Sequence, residues 1–134
     1  LPRTRDVFPF GKGVAALVSA VPPILVGQLL GANFNVTTDQ AIIITSGYRV
    51  LNITVTNASI SMDTAVGGFY SAATKGGVEL VAATQVYSAL TSASITLDCT
   101  IASVVGGLGN VYFSLTTAQG APATADIRIY GVSP

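Results

Sequence analysis

Asp98 and Asp126 are the side chains best placed for acid–base chemistry, because each interrupts an alternating apolar run and so falls on the polar face of an expected strand. Two carboxylates suffice for glycoside hydrolysis when they flank one bond at the right separation. Nothing in the sequence brings these two together, and Arg128 close by makes ordinary exposed strand charges the simpler explanation. Histidine is absent, which removes the commonest general base, the imidazole triads and most transition-metal sites. One cysteine without histidine cannot build a zinc site, and Asp39 and Asp63 lack the neighbouring acids of a calcium loop.

The glycine motifs add little. Gly11-Lys12-Gly13 lacks the upstream glycine and following Ser or Thr of a phosphate loop, and Gly106-Gly107-Leu108-Gly109 reads as a hairpin turn. Asn35, Asn52 and Asn57 open Asn-X-Ser/Thr triplets, but Asn52 lies inside an expected strand and such triplets arise by chance in a chain this rich in Ser and Thr. Cys99 is in phase with Ile95, Leu97 and Ile101, as a buried small hydrophobe would be; the sharper alternative is a disulfide between subunits. The expectation is a protein that is not an enzyme and uses no metal and no cofactor.

The elements that carry these residues are strands. Leu51, Ile53 and Val55 alternate with Asn52, Thr54 and Thr56, and the same period of two recurs at residues 95–101, 111–115 and 126–130. Further strands are expected at 24–30, 41–45, 66–72, 78–82 and 85–89, bounded by Gly and Ser/Thr/Asn clusters. No helical stripe persists. Eight or nine short strands rich in Val, Ile and Thr indicate an all-β fold, a β-sandwich or jelly roll. Its inner faces should hold Leu51, Ile53, Val55, Leu97, Ile101, Val111, Phe113, Leu115, Ile127 and Ile129.

Residues 1–31 differ in character from residues 32–134, the expected sandwich domain. They read as an irregular N-terminal arm: Arg3, Arg5 and Lys12 with Phe8 and Phe10, then no charge between Gly13 and Gly31. Basic residues ahead of an apolar run, followed by Val18-Ser19-Ala20, also fit a secretory signal. A membrane-spanning helix does not fit, because Pro22-Pro23 splits the apolar run. As an arm, the segment would reach a neighbouring subunit, with Arg3 and Arg5 pairing to acidic groups and Phe8 and Phe10 as anchors.

Charge sets the partner class. Only 9% of the 134 residues are charged, against about 25% in an average domain, and the six cations and six anions cancel. A free protein with so little charge lacks the repulsion that keeps copies apart, so much of its surface is expected to be covered by neighbours. Nucleic acid is not an expected partner, because no basic face can be assembled.

The segments Thr38-Asp39-Gln40-Ala41-Ile42, 53–59, 65–77, 85–91 and 111–120 resemble small proteins encoded in tailed-phage and prophage genomes, over roughly residues 31–131. The resemblance implies a phage setting and carries no assigned site residues. With the low charge, it leads to the expectation of a virion structural protein on the particle exterior: a capsid decoration or cement protein. Such a protein would form a homo-oligomer, taken as a trimer, on the major capsid or other virion proteins. A neck, tail or fibre-base subunit is the runner-up. A glycan-binding adhesion module is the alternative of another class, with Tyr48, Tyr70, Tyr87, Tyr112 and Tyr130 as its available aromatics.

Overall fold

A computed structural model of the chain describes residues 22–133. It contains eight strands: β1 (Ile24–Asn33), β2 (Gln40–Ile43), β3 (Arg49–Thr56), β4 (Val66–Ala72), β5 (Gly76–Val81), β6 (Leu97–Asp98), β7 (Asn110–Thr117) and β8 (Thr124–Val132). They form two four-stranded sheets, ordered β1-β8-β3-β6 and β2-β7-β4-β5, in which all pairings are antiparallel.

The order follows from one long hairpin rolled up on itself. Strand β1 pairs with β8, β2 with β7, β3 with β6 and β4 with β5, so the chain doubles back at the β4–β5 turn. Rolling this ribbon places β3 against β8 and β4 against β7, completing the two sheets. That is a jelly roll, the expected architecture.

Side chains from both inner faces fill the core. Val50, Ile53, Val55, Ile127 and Ile129 from one sheet meet Ile42, Phe69, Val111, Phe113 and Leu115 from the other, all buried. At the centre Phe113 lies 4.8 Å from Phe34 and 5.0 Å from Phe69 between ring centroids, and Tyr87 meets Phe34 edge-on at 5.2 Å. Edge-on and tilted packing suits the ring quadrupoles.

Several expectations are corrected. Leu51 is not an inner residue but exposed: the β3–β8 register slips between Val50 and Asn52, so Val50 takes the inward position and Leu51 is pushed out by the bulge. Leu97 and Ile101 are only half-buried, packed against the rim of the core. The alternation over 95–101 gives just two strand residues, because the segment changes partners: Leu97 and Asp98 pair with β3, then Ile101 bridges to Val81 of β5. Residues 85–89 form no strand. Turns closed by Gln85 N–H to the Ala82 carbonyl and Leu90 N–H to the Tyr87 carbonyl bracket a single bridge at Val86.

The division expected between residues 31 and 32 runs through β1, whose residues from Ile24 onward are hydrogen-bonded into the first sheet. Residues 24–31 therefore belong to the sandwich. Two glycines set the spacing within the second sheet. A Cβ on Gly67 would stand 2.3 Å from the Leu115 Cα, and one on Gly68 2.2 Å from the Val81 carbonyl oxygen, so β4 tolerates no side chain there.

Candidate functional site

The two carboxylates singled out for chemistry do not converge. Asp98 lies opposite Thr54 on one flank of β3, and Asp126 lies opposite Thr56 on the other flank. Two strand spacings and a two-residue offset separate them by about 12 Å, from the usual ~4.8 Å and ~3.4 Å dimensions of a sheet. Carboxylate pairs in glycosidases stand about 5–9.5 Å apart. Asp126 has a structural task instead: its Oδ1 accepts the Gly31 N–H at 2.8 Å, inside the β1 bulge, and its Oδ2 accepts from Asn57 Nδ2 at 3.1 Å. Asp63 accepts from Gln119 Nε2 at 2.7 Å and from Thr64, and these bonds hold its carboxyl below the ordinary aspartate value. Asp39 accepts from the Thr74 N–H. Among the described residues no three potential ligands gather in a way that could hold a metal ion.

Cys99 is buried, and burial pushes its thiol up to about 12 despite a lowering contact with Tyr87. It is a core residue, as its phase suggests. The tyrosines do not form a platform. Tyr70 and Tyr87 are buried, while Tyr112 and Tyr130 sit on the outer faces of opposite sheets. Arg3, Arg5, Phe8 and Phe10 lie outside the described residues.

What remains is the surface itself, and two kinds of contact could be made there. The first is strand addition to a free sheet edge. The edges are largely closed. On β1, Thr45 donates its N–H and its hydroxyl to the Val26 carbonyl at 2.9 and 3.2 Å, and the Gln40 side chain accepts from Asn33 N–H at 2.9 Å while donating to its carbonyl at 2.7 Å. On β5, the Leu80 carbonyl accepts from Ala102 N–H at 2.7 Å. The flank of β3 beyond β6 is covered by Cys99 N–H to Ile53 and Val50 N–H to Val105. The Ile43 carbonyl of β2 faces Gly27 so closely that a Cβ there would lie 2.8 Å away.

The second kind is apolar side chains left in water. Ile43 is 79% exposed, and Ile24 and Leu25 are about half exposed. They do not share a face: Leu25 is the cross-strand partner of Tyr130 on the outer face of the first sheet, Ile24 points to the other side of β1, and Ile43 is in phase with Ala41, the partner of Tyr112, on the outer face of the second sheet. Leu30, Val78, Val86 and Val104 are exposed elsewhere. Shallow depressions of about 370 and 430 Å³ open beside Asn33, Asn35 and Pro122, and between Thr37–Asp39 and Thr74–Lys75. Neither gathers a set of reactive groups.

Comparison with protein-family models, with curated proteins and with solved structures gave no match.

Proposed function

We propose that this chain is a structural subunit of a tailed-phage virion, a capsid decoration protein that works by packing rather than by chemistry. The observation that carries the reading is the surface. It has few charges, its carboxylates at Asp39, Asp63 and Asp126 are committed to its own loops, and it leaves Ile24, Leu25 and Ile43 in water. Such a surface is stable only when covered, and burial of apolar area is the interaction it offers a neighbour. The jelly roll also recurs in viral coat domains, a supporting analogy at the level of fold alone.

The partners are further copies of the chain and the major capsid protein. Residues 1–21, with Arg3, Arg5, Phe8 and Phe10, are candidates for reaching them. The test is imaging of the purified native particle together with mass spectrometry of its proteins. Many copies per particle on the head lattice supports the reading, one ring of copies at a vertex or tail moves the role to the neck, and absence from the particle overturns it.

A further inference from the structure

The proposed assembly leaves open the face by which copies meet. We infer that two copies of the chain pack through the outer face of the β1-β8-β3-β6 sheet, apolar row on apolar row, about a two-fold axis that runs along the row. This rests on the proposed role only in taking further copies as the partner.

The strand registers assemble the row. Leu25 of β1 lies opposite Tyr130 of β8, and Tyr130 lies opposite Asn52 of β3, where the bulge adds Leu51 on the same side. Beyond β3, Arg49 bridges Gly106 and the Val50 N–H bonds the Val105 carbonyl, a register that sets Val104 opposite Leu51. Burial agrees. Val50 and Val105 pack against the core, while Leu51 and Val104, one residue along on each strand, are 36% and 50% exposed. Leu25, Tyr130, Leu51 and Val104 therefore cross the outer face side by side, at the usual ~4.8 Å strand spacing.

Such a row calls for a second sheet as its cover, because two pleated faces interdigitate side chains at about 10 Å between backbones. Strand addition is not open to the partner, since the flanks of β1 and β3 are engaged at Val26, Asn33, Val50 and Ile53. Charge then selects this chain itself. Among the described residues, the charges on this face are Arg49 on one side of the row and Arg128, Asp98 and Asp126 on the other: one cation against one cation and two anions, +1 against −1. Counted on β8, the partner of Arg49 (Val132) and the partner of Thr54 (Arg128) stand two residues to either side of Tyr130. A two-fold axis along the row exchanges those two positions, so Arg49 of each copy comes over Thr54 of the other, beside Asp98, which pairs with Thr54. The apolar row supplies the attraction and the opposite flanks fix the orientation.

Sedimentation of the 134-residue chain up to its highest soluble concentration tests this, with the melting transition as the check on folding. Wild type should form a two-chain species. Leu51→Ser with Val104→Ser empties the middle of the row and should weaken pairing about tenfold or more. Arg49→Glu sets acid against acid and Asp98→Arg sets base against base, and each alone should weaken pairing by a like factor. An equal mixture of these two charge variants should recover the two-chain species, because each change meets its opposite across the axis. If Asp98→Arg melts early, Thr54→Arg takes its place under the same Arg49. A wild type that stays a single chain, as it would if residues 1–21 of the same copy covered the row, overturns the pairing. So do variants that pair like wild type, or a mixture that does not recover. A chain that pairs in this way but is absent from particles overturns the virion role alone, and a particle protein that stays single in solution overturns the pairing alone.

Discussion

The Tyr87 hydroxyl donates to the Gly67 carbonyl at 2.9 Å in the interior of the sandwich, joining the long β5–β6 connection to the start of β4. Tyr87 is fully buried and its ring packs on Phe34 and Phe113, so the bond is shielded from water. Burial also drives the phenol well above its ordinary value, which keeps it protonated and donating.

Tyr87→Phe keeps the ring and strands the Gly67 acceptor. The expected loss is about 1–3 kcal/mol, the cost of an unsatisfied buried polar group. A denaturation midpoint in urea measures it, with an unchanged slope showing that the fold is the same. No loss would mean that the carbonyl is served by another donor.

Phe113 stands where the two sheets meet, within 5.0 Å of both Phe34 and Phe69. Phe113→Ala should cost about 3–5 kcal/mol through the cavity it leaves. Leu51→Ala, at a residue equally apolar in the sequence but displaced outward by the β3 bulge, should stay within about 0.5 kcal/mol of wild type. Equal effects at the two sites would place the register elsewhere.

That contrast shows where the sequence was legible. Alternation at 111–115 and 127–129 carried the inner face directly, because these strands run in unbroken register through residues that are buried at every second position. Leu51 misled because a bulge inverts the phase without any mark in the residue types. Tyr87 and Gln119 were illegible for a different reason. Their bonds join residues 20 and 54 or more positions away, so only the tertiary path reveals that Gln119 Oε1 accepts from Thr64 and Ala65 N–H.

Gly67→Ala should prevent the native β4–β7 contact. The added methyl meets the Leu115 Cα, which is backbone and cannot swing aside, so the two strands would have to part. The expected result is a loss of about 3 kcal/mol or more, at or above the top of the usual ~1–3 kcal/mol for an overpacked core, because the methyl meets backbone. A soluble Gly67→Ala protein with a wild-type melt would contradict the close approach.

Cys99 supplies a pH test. Its folded thiol, raised to about 12 from 9.0, stays protonated where the unfolded thiol ionises. Because the folded value is the higher one, the stability linked to this group is fully present below pH 9 and drains away as pH rises from 9 towards 12. Replacing it with Ala should flatten that part of the stability profile. At pH 8.5 the native thiol should also resist iodoacetamide and react at once when unfolded in urea; rapid labelling of the native chain would place it at the surface.

The closed strand edges bear on what happens when many copies are crowded together. Open edges at high local concentration template one another, and the outcome is cross-β fibrils. Here the Gln40 amide stands in for an absent neighbouring strand at Asn33, and Ala102 does the same at Leu80. A domain built this way can be held at near-crystalline density on a surface and still not seed amyloid.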